Sequence, residues 1–386
     1  MGVGAYLPPG VHPFGSKIRA IQTVLLTQNT GVATSTLAFA NLTNADKCIP
    51  FLSGRASNQD SYSAGDPGEI SRTIDIYSAT GVKADVNRDA GATGSSNHLL
   101  AVTLLEFPID VTVAKYTLNT QVIGASDYID ATITAVDTSK SFIVCTGQRL
   151  DDDGSGGIRG QTGGFCARFT SSTNVRIHCV NNPGAVPKLV FYVVTDLTGN
   201  CFTVTSTYTT IAGATRSANI TVPAHVQAKT LAIVNWHANG GSASYPNVTF
   251  IGKHTWSCYP SSNTNFVMNC HSPNPGPYVA QVNIQLITFS SGVSIQHARI
   301  TPIGTNYLTN LTITSVDTSK SAAVGYLSHH FDNARIAADT AGCPPGAGAW
   351  RVRLSSATNV ESVRYDPGTA ADVGAADLGI QVISTS

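Results

Sequence analysis

Short stretches of alternating apolar and polar residues recur along the chain, each followed by a turn and a second alternating stretch. Such alternation places every second side chain on one face, which is typical of a half-buried antiparallel hairpin. In residues 166–178, Arg168 and Arg176 share the polar face. The apolar face carries Ala167, Phe169, Val175 and Ile177. Residues 350–364 follow the same parity, with a polar face of Arg351, Arg353 and Glu361.

A second pattern, strand–turn–strand, surrounds the hexapeptide VDTSKS, which occurs at 136–141 and again at 316–321. Asp137 can accept a hydrogen bond from the backbone N–H two residues on, which closes an Asx turn. Lys140 then begins the return strand with its charge in water. We therefore predict a second hairpin here, and another around Asp317 and Lys320. The alternative is that the repeated lysines form a functional column.

Repetition extends over the whole chain. Lysines mark a period of 93, 89 and 91 residues at Lys47, Lys140, Lys229 and Lys320. A turn follows in the same order at 78–82, 171–175, 262–266 and 356–360, and each period closes with an apolar run such as KLVFYVV. We read an N-terminal arm, 1–17, and four domains, 18–109, 110–199, 200–292 and 293–386.

The predicted fold class is all-β, with four tandem antiparallel β-sandwich domains of about 90 residues each. β-branched residues and turn formers dominate, and no long window has helical periodicity. The closing runs are apolar on both faces. Each is therefore expected to be a central strand, or to face the next unit or another subunit.

Net charge, the length of apolar runs and the first 17 residues limit the kinds of partner and location that we expect. The chain has 23 basic and 23 acidic residues, a net charge of zero, so it offers no basic surface for nucleic acid. No apolar run reaches about 18 residues, so we expect no membrane insertion. Residues 1–17 lack the basic and apolar regions of a secretory signal, which favours assembly in a cytoplasm.

Eight cysteines occur without a CxxC pair, so zinc is not expected. Cys258 and Cys270 lie on one face of a predicted hairpin, diagonal to each other. A disulfide between them is a candidate, but a strained one, since diagonal neighbours are about 7–8 Å apart. Cys166 is expected to face outward and Cys179 inward, which argues against that pair. Buried free thiols are the default.

Candidate chemistry is sparse. The segment DDDGSGG (151–157) resembles the start of a calcium loop but lacks the distant glutamate. His329 and His330 are adjacent, so on a strand they point to opposite faces. We expect no catalytic residues, no metal and no cofactor. Trp236, Trp256 and Tyr259 in the third unit are candidate contacts to a ligand or partner, and core packing is the competing interpretation.

The form T-I-x-x-V-D-T-S-K-S, followed by an arm such as A-R-F-T-S-S-T-N-V and a final apolar strand, resembles β-sandwich modules of virion proteins of tailed bacteriophages. These are minor tail, tail-fibre or decoration proteins. The resemblance is clearest over 111–197 and 293–385. It implies a virion component that is not an enzyme, assembled in the cytoplasm of a bacterial host, and it carries no active-site residues.

The resemblance also implies partners. We expect a homo-oligomer, with a trimer favoured because symmetric closure protects strand edges, and contacts with other virion proteins. Head and tail locations stay open. The alternative function is a host-binding adhesin, in which loops of 200–292 recognise a surface glycan or protein.

Overall fold

A computed structural model describes residues 17–28, 34–38, 44–57, 72–78, 81–86, 98–118, 128–146, 165–178, 189–212, 215, 217–238, 256–270, 279–300, 308–326, 350–364 and 378–386. Within these ranges the chain forms 24 β-strands and three single-turn 3-10 helices, and no α-helix. Every strand pair is antiparallel. The predicted all-β fold is confirmed.

The strands fall into four sets of six, here called units 1 to 4. Unit 1 contains β1 Ala20–Gln28, β2 Thr34–Ala38, β3 Cys48–Ser57, β4 Arg72–Ser78, β5 Gly81–Val86 and β6 His98–Glu106. Unit 2 contains β7 Val111–Leu118, β8 Tyr128–Thr132, β9 Ser141–Cys145, β10 Cys166–Ser171, β11 Asn174–His178 and β12 Leu189–Asp196.

Unit 3 contains β13 Phe202–Ile211, β14 Ser217–Thr221, β15 Thr230–Ala238, β16 Trp256–Ser262, β17 Asn265–Cys270 and β18 Ala280–Phe289. Unit 4 contains β19 Val293–Ile300, β20 Leu308–Thr312, β21 Ser321–Gly325, β22 Trp350–Ser356, β23 Asn359–Arg364 and β24 Leu378–Thr385. The 3-10 helices are Ala45–Lys47, Thr138–Lys140 and Gln227–Lys229.

Strand pairing is the same in all four units. The first, sixth and third strands of a unit pair in that order and are here called the inner sheet, as in β7–β12–β9; the inner sheet of unit 1 continues into β22, β23 and β20 of unit 4. The second, fifth and fourth strands form the outer sheet, as in β8–β11–β10. Each repeat of the sequence therefore corresponds to one unit with the same strand topology. The boundaries of four separate domains stay a prediction.

The hairpin predicted around VDTSKS is wrong. β8 pairs with β11 in the outer sheet, whereas β9 pairs with β12 in the inner sheet. Residues 133–137 cross between the two sheets, and on the way the Ile133 and Val136 N–H groups donate to the carbonyls of Thr173 and Ser172, both at 2.9 Å. These bonds to the tip of the outer hairpin satisfy the crossing backbone, so pairing between β8 and β9 is unnecessary.

The outer hairpin itself is confirmed. Ala167 pairs with Ile177 and Phe169 with Val175, which leaves Arg168 opposite Arg176 on the other face. A bulge between Phe169 and Ser171 lets a two-residue turn close the hairpin. This turn, at residues 172 and 173, lies within the predicted range 171–175.

The closing apolar runs are the central strands of the inner sheets. Every residue of β12 is buried. Leu189, Phe191 and Val193 pack into the core of unit 2 itself. Val190, Tyr192 and Val194 point the other way, into a core that contains residues of all four units. Both faces of the strand are buried, which explains why the sequence shows no alternation here.

The shared core holds the units together as a ring. Four phenylalanines meet there edge to face, with centroid separations of 5.4 to 6.4 Å, namely Phe107, Phe142, Phe202 and Phe289. The fourth strand of each unit contacts the inner sheet of the next unit. The series closes on itself, because β22 of unit 4 pairs with β3 of unit 1 at Arg351 and Gly54.

Candidate functional site

The four repeated lysines occupy equivalent positions. Each ends a turn that follows the crossing segment and precedes the third strand of its unit. Each lysine N–H donates to the carbonyl three residues earlier, at 2.9 to 3.1 Å, with Asn44, Asp137, Val226 and Asp317 as the acceptors. The period deduced from the lysines is therefore a structural period.

The predicted Asx turns are confirmed. Asp137 Oδ1 accepts from the N–H of Ser139, and Asp317 Oδ1 from that of Ser319, both at 2.9 Å. Hydrogen bonds from the Ser139 and Ser319 side chains lower the pKa of both aspartates. In unit 1, Asn44 takes this role and accepts from the Asp46 N–H. The turn at Asn44 was not predicted, although the carbonyl of an asparagine side chain accepts equally well.

The lysine turns lie beside the loops that join successive units. Lys47 Nζ donates to the carbonyls of Ile109 and Val111, at 3.2 and 2.6 Å. Lys140 Cε lies 3.0 Å from the position that a Cβ would take on Gly199, whose φ is +75°. The loops contact one another too, since the Leu197 N–H donates to Asp110 O. We call this end of the molecule, with its loops and lysine turns, the junction end.

Asp196 is the buried carboxylate of the junction end. Its Oδ2 accepts from the N–H groups of Cys201 and Phe202, at 2.6 and 3.2 Å, and its Oδ1 accepts from Thr198. Burial opposes ionisation, but these hydrogen bonds prevail and lower the pKa of Asp196. The carboxylate fixes the loop between units 2 and 3, which is a structural task.

Two glutamines, which sequence reasoning missed, join neighbouring units. Gln285 of unit 3 accepts from the Ile143 N–H and donates to the Ile143 carbonyl of unit 2, both at 2.8 Å. Gln381 of unit 4 makes the same pair of bonds with Ala232 of unit 3. The sequence could have revealed these two glutamines, because each is a polar residue inside an apolar closing run. A buried amide must be paired, and here the partner is the edge of the preceding sheet.

The aromatic candidates of unit 3 separate into core and surface. Trp236 is fully buried and Trp256 nearly so, and both belong to the core of unit 3. Their ring faces are covered by protein, so a ligand cannot stack on them. Tyr259 is partly buried, with the Arg299 guanidinium 4.5 Å from its ring centre. Core packing, the competing interpretation, describes the two tryptophans.

The candidate disulfide pair is diagonal, as predicted: Cys258 pairs with Met268 and Cys270 with Trp256. Cys258 carries a buried, free thiol. Burial raises the pKa of this thiol far above its usual range, which suppresses its reactivity. Cys166 lies on the outward face of the hairpin with Arg168, as expected. It is nevertheless fully buried, because that face of β10 packs against unit 3.

A cluster of rings and cations joins units 2 and 3. The His178 ring stacks on Tyr208 at a centroid distance of 5.9 Å and meets Tyr128 edge-on at 5.8 Å. Arg168 lies over Tyr208 and Arg176 over Tyr128. Neither ring nitrogen of His178 has a hydrogen-bond partner among the described residues. Burial lowers the pKa of His178 to about 4, with smaller contributions from His237, Arg168 and Arg176, and Asp130 opposes them.

This histidine makes the contact between units 2 and 3 sensitive to acid. The pKa of His178 is lower in the folded protein than the ordinary 6.5. The stability that the neutral His178 ring gives to the folded protein is therefore complete above about pH 6.5. It is lost as pH falls from there toward about pH 4. We expect a loss of about 1 to 2 kcal/mol at about pH 5. Urea unfolding above about pH 6.5 and at about pH 5 measures this loss of stability.

The matched variant for this prediction is His178→Phe, which keeps a ring between the two tyrosines but cannot take up a proton. Its loss of stability on acidification should be smaller than that of the wild type by the same 1 to 2 kcal/mol or so. His297, whose pKa burial also lowers, is unchanged in both proteins. Equal losses in the two proteins would show that His178 does not carry the effect.

Several sequence candidates lie outside the described residues, namely 1–16 of the N-terminal arm, the segment 151–157, Cys179, His329 and His330. Within the described ranges, no group of three or more histidine, cysteine or acidic side chains is placed to hold a metal ion. In the same part of the chain, no helix is long and apolar enough to span a membrane.

Comparison with known proteins adds no family. No family model matches this chain, and none of the curated proteins matches it either.

Proposed function

We propose that this chain is a non-enzymatic structural component of a tailed-phage virion, which acts by assembly and by presenting β surfaces. The proposal rests on the repeated pattern that resembles virion modules and on how the chain uses its polar groups. Capsid decoration and a tail or fibre position are both compatible with it.

The observation that carries the proposal is that buried polar side chains act between the units. Gln285 and Gln381 cover strand edges of neighbouring units, and Asp196 and Lys47 hold junction loops. His297 contacts Tyr326 with one ring nitrogen and the Gln227 carbonyl with the other, which joins units 3 and 4. In this chain such polar groups join neighbouring units and hold the loops between them, which is what a building block requires.

The adhesin alternative names loops of 200–292, and two of the three aromatic residues suggested there as contacts, Trp236 and Trp256, are buried. Tyr259 is the remaining candidate, and its ring is already covered on one side by Arg299. We therefore place assembly first.

Particle localisation tests the proposal. Gradient-purified particles of a phage that encodes the chain are labelled with antibodies against the purified protein and viewed by electron microscopy. We expect the label at regular positions on intact particles, and its place on head or tail decides between decoration and a tail role. A chain that stays in the soluble lysate and is absent from purified particles would refute the proposal.

A further inference from the structure

Exposed apolar side chains are concentrated at the junction end. The three most exposed large hydrophobic residues of the described chain are Ile109, Leu197 and Val226, at 67%, 61% and 57%. Ile109 and Leu197 belong to successive junction loops, which the bond from the Leu197 N–H to Asp110 O connects. Val226 begins the lysine turn of unit 3. Single exposed hydrophobic residues are ordinary, but a group at one end indicates a contact surface.

Charges of both signs surround these residues. Four exposed aspartates lie on the same loops and turns, Asp46, Asp110, Asp137 and Asp317. The repeated lysines supply four positive charges, and Lys17 adds a fifth. Lys140 Nζ and Asp137 Oδ2 are already 3.8 Å apart. A surface with interspersed charges of both signs has no strong field for nucleic acid or for a highly charged protein.

Such a surface is complementary to itself. When two identical faces meet about a two-fold axis, each patch contacts its own copy. Apolar side chains can then meet apolar side chains, and a lysine of one copy can meet an aspartate of the other. Ion pairs between interspersed charges fix the register of such a contact.

We propose that a second copy of this chain docks on the junction end, so that two molecules pair head to head through Ile109, Leu197 and Val226. This inference rests on the proposed function, in which the chain acts by assembly, and its two-fold pair differs from the trimer favoured in the sequence analysis. It names the surface and the partner that begin the assembly.

Sedimentation equilibrium of the full chain tests the pairing. The double variant Ile109→Lys/Leu197→Lys places two more lysines on the face and should have half the mass of the wild type. The matched control is Leu308→Lys, since Leu308 is 49% exposed on the edge strand β20. It should keep the wild-type mass. Equal masses for the double variant and the wild type would overturn the pairing, as would a monomeric wild type.

Zero-length carbodiimide cross-linking of the wild type gives a second readout that does not depend on the folding of a variant. Cross-links in the band of twice the chain mass should map to lysines and aspartates of the junction end. Cross-links that map only to other surfaces overturn the pairing. A monomer that still labels phage particles would leave the proposed function standing and remove only the head-to-head contact.

Discussion

Replacing Trp236 with alanine should lower the free energy of unfolding by about 3 to 5 kcal/mol, the usual cost of deleting a large buried side chain. Trp236 is fully buried on β15, beside Val282 of β18. Its ring fills the unit 3 core together with Trp256 and Phe266. Both sheets of the unit line this core, and such close-packed surroundings relax only partly into the void that alanine leaves.

Urea unfolding followed by far-UV circular dichroism measures the loss. Trp236→Phe is the conservative variant and should lose clearly less, since the indole N–H has no hydrogen-bond partner among the described residues and only volume is removed. Leu308→Ala, at an exposed position, should change stability by less than about 1 kcal/mol. Wild-type stability in Trp236→Ala would mean that the ring lies at a surface, and it would reopen the adhesin interpretation.

Replacing Gly379 with alanine should cost about 3 kcal/mol, at or above the upper end for overpacking. A Cβ on Gly379 would lie 1.8 Å from the Cys258 carbonyl oxygen and 2.9 Å from Tyr326 Cδ2. The carbonyl belongs to unit 3 and Gly379 to unit 4, so the methyl group would push two units apart. Both obstacles are well packed, which leaves separation of the backbones as the main way to relieve the clash.

Thermal unfolding and urea unfolding of Gly379→Ala measure this cost. Ser294→Ala is the control, because Ser294 is exposed on the neighbouring strand β19 and loses only a surface hydroxyl. Its stability should change by less than about 0.5 kcal/mol. If Gly379→Ala matched this control, the close approach of units 3 and 4 would be contradicted.

The equivalent position in unit 3 holds an asparagine instead of a glycine. There Asn283 faces the Ala167 carbonyl of unit 2 and donates its amide Nδ2 at 2.8 Å. At that contact the neighbouring strands leave room for a side chain, which uses the carbonyl as an acceptor. Between units 3 and 4 the same carbonyl position lies against bare backbone. The repeat keeps its topology while the spacing between units varies.

Local patterns predicted local structure well. The turn at Asp137 follows from the short reach of an aspartate side chain, and the hairpin register of Ala167 and Phe169 follows from the two-residue period of a strand. The central position of β12 follows from an apolar run without alternation. Each of these features depends on residues close together in the sequence, so the sequence carries the full signal.

Strand partners and surroundings depend on distant residues, and there prediction failed. β8 and β9 look like a hairpin because they are close in sequence, yet each pairs with a strand more than 40 residues further on. Polar faces were expected in water, but Arg351 and Glu361 are both buried where unit 4 meets unit 1. Alternation marks two unlike faces of a strand. It does not say whether another unit will cover the polar one.

The two tryptophans also show the difference between what a residue type suggests and what its position in a strand decides. Trp236 shares a face of β15 with Ala232 and Val234, and the core of unit 3 covers that face. Aromatic identity suggested binding, whereas position favoured packing. Position was the better guide, because a side chain with alternate apolar neighbours on a strand faces whatever those neighbours face.

The contact between β22 and β3 has a consequence for how the molecule is made. During synthesis the first three units leave the ribosome before the fourth exists, and part of the shared core then lacks the unit 4 residues Ile295, Val324 and Ile383. An open array of repeats can mature segment by segment from the amino end. In this chain the strands of unit 4 must reach back to unit 1, so the shared core is complete only after unit 4 has emerged from the ribosome.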